Sequence, residues 1–85
     1  MAAIDLKPTL KALRLLATGD FDGAHTIVQD DPSREAAWVH AHLHRVEGDL
    51  SNAGYWYRRA GKPQASNSLE DERQEIEKAL SEASG

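Results

Sequence analysis

The sequence contains no cysteine. This absence excludes disulfide bonds and thiolate metal sites, and it is compatible with a reducing compartment. No apolar run approaches the roughly 20 residues that cross a membrane. Residues 1–10 lack the basic segment and the apolar segment of a signal peptide. We therefore expect a cytoplasmic protein that makes no membrane contact.

Basic residues are the minority among the charged ones. Ten Lys and Arg stand against 14 Asp and Glu, which gives a net charge of −4 and argues against binding to a nucleic-acid backbone. The charge is uneven, because residues 34–62 carry +2 and residues 63–85 carry −4. The acidic tail is either solvated or docked on the basic middle of the chain.

The chain also lacks the usual signatures of an active site. It has no glycine-rich phosphate loop, and no Ser-His-Asp spacing stands out. Ser33 and Ser51 stand at predicted helix starts, where capping explains them. With no cysteine nucleophile available either, the sequence favours a protein without catalytic residues.

Glycine, proline and capping residues divide the 85 residues into five predicted helices within one domain, residues 1–85. The candidate N-caps are Asp5, Asp20, Ser33, Asp49 and Asn67, the last of which forms a capping box with Glu70. This division predicts an all-α fold with a first hairpin over residues 5–31, a second over residues 33–61 and a C-terminal helix over residues 67–83.

The third predicted helix, which runs to about Glu47, is apolar nearly all round. Its apolar residues are Ala36, Ala37, Val39, Ala41, Leu43 and Val46. A helix with this pattern is buried on more than one side, so we expect the other helices to surround it.

The two hairpins share an internal repeat with an offset of 29 residues. The pair Gly19-Asp20 aligns with Gly48-Asp49. At the same offset, Ala24 aligns with Ala53 and Val28 with Tyr57. Glycine permits a sharp turn, alanine lets two helices approach closely, and the large residue fills the space one turn later. This pattern predicts hairpins that bury their faces on each other.

The frame Gly48…Ala53…Tyr57…Ala60 resembles the second half of a tetratricopeptide repeat. The period is shorter than the roughly 34 residues of that family, so the chain resembles a shortened, Sel1-type variant. No Trp-x-x-Leu-Gly pattern opens either unit, and Pro63 comes two residues early. The string WVHAHLHRVEGDLSNAGYWYRRAG also resembles small bacterial proteins without an assigned activity. The resemblance to tetratricopeptide repeats covers residues 5–61 and implies two stacked hairpins in a protein-binding module.

The C-terminal helix carries a narrow apolar stripe. Leu69, Ile76, Leu80 and Ala83 form this stripe, and Arg73 interrupts it. We expect it to cover the exposed face of the fourth helix as a capping helix, in a monomer. Homodimer formation through residues 69–83 is the alternative.

Three histidines are candidate metal ligands. His40 and His44 are four residues apart on one helix face, and Glu47 continues that face. His25 stands about as far before the turn at residues 31–33 as His40 stands after it, so the three imidazoles are expected to converge. Glu47 or water would complete a tetrahedral site for a divalent transition metal, Zn²⁺, Ni²⁺ or Cu²⁺.

The alternative is that these histidines are core residues, each satisfied by one hydrogen bond. No second carboxylate that would orient a ligating imidazole is identifiable from the sequence. His42 points at least about 160° away from His40 and His44 around the helix, so we expect it to be exposed.

Aromatic and basic residues form a second candidate site. Tyr57 belongs to the repeat frame and is predicted to be buried, so Tyr55 or Trp56 faces a groove, the fifth helix or solvent. The predicted groove is lined by Trp38, His40, His44, Asn52, Tyr55 and Arg59.

The favoured function is a non-catalytic binding or adaptor module for a polar or acidic peptide or a small anion. The alternative function is metal binding by His25, His40 and His44. A purely structural interpretation instead places the rings under the C-terminal helix. In that interpretation Arg58 and Arg59 pair with acids among residues 70–75.

Overall fold

The computed structural model describes residues 7–84, and this range is all-α with five helices, as predicted. The bounds are α1 Lys7–Ala17, α2 Phe21–Gln29, α3 Arg34–Val46, α4 Leu50–Ala60 and α5 Leu69–Ser84. The first predicted N-cap, Asp5, lies outside the described residues. Among the helices in this range, none is both long enough and apolar enough to span a bilayer.

Helix α3 lies at the centre of the molecule. It packs against each of the other four helices, with α1 and α2 forming one hairpin and α3 and α4 the other. Its residues from Ala36 to Leu43 are all buried. Eight consecutive residues point in every direction around a helix axis, so the predicted burial of α3 on more than one side is confirmed.

The turns that close the two hairpins have the same conformation. Gly19 and Gly48 have φ values of 87° and 83°, in the left-handed region that glycine adopts without strain. Asp20 and Asp49 follow with nearly identical backbone angles, φ −87° and −91°, with ψ 78° in both. Each aspartate side chain accepts the backbone N–H three residues later, so each caps its helix in the same way.

The repeated core positions also have matching burial. Ala24 and Ala53 have no exposed surface, and Val28 and Tyr57 are each 1% exposed. The position after each capping aspartate differs, because Phe21 packs partly against the core whereas Leu50 is exposed. The 29-residue repeat therefore holds at the turns and the buried positions but not at the first residue of α2 and α4.

Because each aspartate accepts a backbone N–H group of its helix, we expect Asp20→Ala and Asp49→Ala each to lower the free energy of unfolding by about 1 kcal/mol. Each substitution removes the acceptor for one helix N-terminal N–H group. Asp30→Ala, at an exposed position after α2, is the control and is expected to change stability by less than about 0.5 kcal/mol. Urea unfolding followed by circular dichroism measures all three, and a cost at either cap no larger than that of Asp30→Ala would contradict its capping role.

Helix α5 does not take the position expected from its apolar stripe. It was predicted to cover α4, but it packs against α1 and α3, and within residues 7–84 its backbone makes no close approach to α4. Its fully buried residues are Glu72, Ile76 and Leu80, spaced by four. This spacing forms a single ridge, and the linker over residues 61–68 carries the chain across to the groove between α1 and α3.

The start of α5 also differs from the prediction. Ser68, rather than Asn67, caps the helix, because its Oγ accepts the backbone N–H of Asp71 at 3.0 Å. Asn67 has a different role, since its backbone carbonyl accepts a hydrogen bond from the guanidinium of Arg45. The linker is therefore attached to α3 immediately before α5 begins.

Candidate metal centre

Three histidines from α2 and α3 converge at the junction of the two hairpins. The ring centroids of His25 and His40 are 4.8 Å apart, those of His40 and His44 are 4.8 Å apart, and those of His25 and His44 are 6.0 Å apart. One ligand atom from each ring can be chosen so that all three lie within 4.8 Å of one another. The predicted convergence of three imidazoles from adjacent helices is therefore confirmed.

His40 is the innermost member of this group. It is 2% exposed, and neither of its ring nitrogens has a hydrogen-bond partner. Burial, reinforced by the neighbouring His44 and His25, lowers its pKa from 6.5 to about 4. The ring is consequently neutral at pH 7 and keeps a free lone pair. Since a buried polar group without a partner costs about 1–3 kcal/mol, simple core packing does not account for a histidine here.

His44 is flanked by a carboxylate. Glu47 Oε1 lies 3.2 Å from His44 Nδ1, although the pair lacks hydrogen-bond geometry. The predicted fourth ligand, Glu47, is therefore next to the cluster. Glu47 does not belong to the group of ligand atoms that lie within 4.8 Å of one another, which the three histidines alone form.

Aromatic side chains of α4 cover the cluster. Trp56 stacks on His40 with a centroid distance of 3.8 Å and an interplanar angle of 14°. Tyr55 packs edge-on against Trp56 at 5.1 Å, and its hydroxyl accepts a hydrogen bond from Arg59 at 3.0 Å. The guanidinium of Arg59 also lies 5.3 Å from the Trp56 ring centre. Trp56 therefore shields the imidazoles, and Tyr55 and Arg59 form an outer layer against solvent.

The predicted single groove is divided by the structure. Trp38 lies elsewhere, with the ammonium of Lys62 4.2 Å above its ring, in cavities that none of the three histidines lines. Trp38 stands two positions before His40 in α3, so the two side chains point about 200° apart. Asn52 is exposed and bonds to Asp49, where it completes the helix cap. Neither residue joins the histidine cluster.

The prediction that His42 is exposed is wrong. It is 2% exposed, and its Nδ1 lies 2.6 Å from Glu72 Oε1. The direction expected for His42, away from His40 and His44, is consistent with this position. This side of α3 was expected to face solvent, but α5 covers it.

Glu72 is the centre of a second buried constellation. It is 1% exposed and accepts hydrogen bonds from His42, from Arg45 Nη1 at 3.0 Å and from the hydroxyl of Tyr57. Burial acts to raise the pKa of Glu72, but these three hydrogen bonds outweigh it and hold the pKa below its usual value. Burial and the adjacent Glu72 raise the pKa of Tyr57. Glu72 is therefore an ionised acceptor and Tyr57 a neutral donor.

Sequence reasoning missed this constellation. The structural interpretation paired the acids of residues 70–75 with Arg58 and Arg59, whereas Arg45 makes the pair with Glu72. One signal was available, because a third helix that is apolar all round has no exposed side for His42. A buried histidine then requires a polar partner, and the acidic tail is the natural source.

The two constellations lie on different sides of α3. His40 and His44 face α2 and α4, whereas His42 and Arg45 face α5. Only the first has unpaired buried nitrogens, so it is the candidate ligand site. Comparison of the chain with protein-family models, curated proteins and solved structures finds no match.

Proposed function

We propose that this chain is a metal-binding helical module that holds one divalent transition-metal ion through His25, His40 and His44. The observation that carries the proposal is His40, which is buried beside two other imidazoles without a partner for either nitrogen. Neutral imidazole nitrogens are suitable ligands for Zn²⁺, Ni²⁺ and Cu²⁺. A bound ion would supply the missing partner of His40.

The arrangement of the rings is compatible with coordination. At Zn–N distances near 2.1 Å, the nitrogens of a tetrahedral zinc site are about 3.4 Å apart. In the structure, the candidate ligand nitrogens of the three histidines lie within 4.8 Å of one another. Side-chain rotations that move the rings by about 1 Å close this difference. His25 and His44 are only partly buried, so they provide an entry route. Water, or Glu47 after a change of its side-chain conformation, would take the fourth position.

The ion would join the two hairpins. His25 belongs to α2 of the first hairpin, and His40 and His44 belong to α3 of the second. We propose that these hairpins are shortened tetratricopeptide-like units, which the equivalent turns at Gly19-Asp20 and Gly48-Asp49 support. The module is non-catalytic and cytoplasmic in this proposal, with metal as its ligand. Binding of a polar or acidic peptide or a small anion stays a prediction, and Trp38 and Asn52 do not share one groove with the histidines.

Zinc titration by calorimetry at pH 7, on protein without a histidine tag, tests the proposal. We expect one ion per chain, and His25→Ala and His44→Ala should weaken binding by at least about 100-fold. Asp30→Ala is the control, because Asp30 is an exposed potential ligand outside the cluster, and the affinity of this variant for zinc should be unchanged. Trp56 emission, measured in a Trp38→Phe background, should change on binding because Trp56 stacks on His40.

Two results would overturn the metal assignment. The first is the absence of both binding heat and a fluorescence change with Zn²⁺, Ni²⁺ and Cu²⁺. The second is binding of equal affinity in the wild type and the His25→Ala and His44→Ala variants, which would place the ion elsewhere on the chain. The variants at His25 and His44 are preferred to one at His40, because those two side chains are less buried.

A further inference from the structure

A cavity of about 270 Å³ lies at one end of the molecule, where the last residues of α1 and α3 meet the first residues of α5. Leu16, Val46 and Leu69 line it with aliphatic side chains. Val46 is half-buried and Leu69 is 42% exposed, so the cavity is open to solvent on one side. A small molecule can therefore reach its apolar wall without any movement of the helices.

His42 belongs to the wall of this cavity. Its Nδ1 bonds to Glu72, and Glu72 lines the separate cavity beside the linker and not this one. The opposite edge of the ring, which carries Nε2, therefore lies on the side of the cavity between α1 and α5. In the part of the chain that the structure describes, Nε2 has no hydrogen-bond partner, and it is not fully enclosed. A side chain that is 2% exposed thus presents an unpaired nitrogen to the cavity.

The hydrogen bond to Glu72 determines what Nε2 can do. Glu72 is ionised and accepts, so Nδ1 of His42 carries the proton that lies between them. Arg45 already supplies the positive charge that balances this carboxylate, and a further buried charge would be costly. Nε2 is then a lone-pair acceptor. A ligand must offer it an O–H or N–H group, because an ether or carboxylate oxygen would meet the lone pair with its own.

The rim and the volume of the cavity restrict the ligand further. Glu70 and Arg73 line the rim, and Arg73 lies 3.2 Å from Glu70 and 3.5 Å from Glu77. An ionic ligand would have to compete with these pairs, so a neutral ligand is favoured. The volume equals that of about nine water molecules and is just below the range of pockets for drug-sized ligands. The cavity therefore has space for one ring with small substituents.

We propose that this cavity binds a small neutral phenol, whose hydroxyl group donates a hydrogen bond to Nε2 of His42 and whose ring lies against Leu16, Val46 and Leu69. A phenol is a stronger hydrogen-bond donor than an aliphatic alcohol, because its ring withdraws electron density from the oxygen. The carboxylate on the other side of the imidazole strengthens Nε2 as an acceptor. The site is independent of the metal cluster, because His42 faces α5.

Titration with p-cresol in metal-free buffer, followed by nitrogen NMR of the imidazole side chains, tests this proposal. We expect a saturable shift of the Nε2 signal of His42 toward that of a protonated nitrogen, because the phenol shares its proton with this atom. Anisole is the matched control ligand, since it is an isomer of p-cresol that has no O–H group. It should bind at least about 5-fold more weakly, as expected for the loss of one hydrogen bond.

The variant Ala17→Leu tests the location of the site. Ala17 is the exposed last residue of α1 and lines the cavity, so a leucine would fill part of the space without disturbing the core. Ala83→Leu is the matched control, because Ala83 is also exposed near a helix end but lines a different cavity. We expect Ala17→Leu to weaken the binding of p-cresol by at least about 10-fold, which is the effect of an apolar clash of about 1.4 kcal/mol. The affinity of Ala83→Leu should be unchanged.

Three results would overturn the proposal. The first is the absence of a saturable shift at Nε2 with p-cresol, at concentrations that leave the circular dichroism spectrum unchanged. The second is equal affinity for p-cresol and anisole, because Nε2 would then not be the recognition group. The third is equal affinity of Ala17→Leu and the wild type for p-cresol, which would place the ligand elsewhere on the protein.

Discussion

Glu72→Ala is expected to lower the free energy of unfolding by about 3–5 kcal/mol, the usual cost of removing one member of a buried ionic network. Glu72 is 1% exposed and joins α5 to both helices of the second hairpin. The alanine removes the acceptor for Tyr57, His42 and Arg45 and leaves a cavity. Buried donors without an acceptor are destabilising, and the cavity adds to the cost.

Two control variants separate the effect of losing the charge of Glu72 from the effect of losing its volume. Glu72→Gln keeps the size and one carbonyl acceptor, so it should cost less than the alanine variant. Glu70→Ala changes an exposed acid in the first turn of the same helix and should cost less than about 0.5 kcal/mol. Urea unfolding followed by far-ultraviolet circular dichroism measures all three. A loss below about 1 kcal/mol for Glu72→Ala would contradict the burial of Glu72 between α5, α3 and α4.

Acidification from pH 7 to pH 4 is expected to remove about 3 kcal/mol of stability through His40 alone. The lowering of its pKa from 6.5 to about 4, at 1.36 kcal/mol per pH unit, gives this figure. The folded protein keeps His40 neutral, so the unfolded chain binds one more proton between these pH values. The contribution is therefore complete above pH 6.5 and is lost as the pH falls to about 4.

The lowered pKa of Glu72 acts in the same direction at the lower end of this range, so a comparison with a variant is needed. His40→Phe retains a flat ring against Trp56 and cannot be protonated. Its stability should fall by about 3 kcal/mol less than that of the wild type between pH 7 and pH 4. Unfolding by urea in metal-free buffer at several pH values measures the difference. Parallel pH profiles for the two proteins would show that His40 titrates normally in the folded state.

Much of the fold is predictable because the turn chemistry is local. Gly19-Asp20 and Gly48-Asp49 combine a left-handed glycine with a capping aspartate, and both operate as the sequence indicates. The five helices follow from these turns and from the proline and serine residues between them. The position of α5 did not follow, because the apolar stripe of a helix shows which residues are buried and not which neighbours bury them.

The candidate site, like the fold, is predictable from the sequence only in part. His40 and His44 share a face through the helical period, and the symmetrical distances from the turn bring His25 to the same height. Trp38 and Asn52 do not belong to this site. The period of the helix places Trp38 on the other side of α3, while Asn52 serves the cap.

Glu72 stands in an acidic run, Glu70 to Glu72, in which each residue alone looks like a solvent-exposed charge. The helical period singles it out, since it stands four residues before Ile76 and shares the face of Ile76 and Leu80. The sequence does not show that donors on α3 and α4 allow a carboxylate to be buried on that face. The one indication was indirect. Because no side of α3 faces solvent, His42 must be buried, and a buried histidine requires a polar partner.

The eight consecutive buried residues of α3 restrict how this protein can vary in length. Insertion or deletion of one residue within this helix would turn everything beyond that point by about 100°. His40 and His42 are two residues apart and contact different helices. An insertion or deletion before them would turn both side chains away from their partners at once. Length variation should therefore be absent from the middle of α3 in any related chain and should be found in the segment between Gly61 and Ser68.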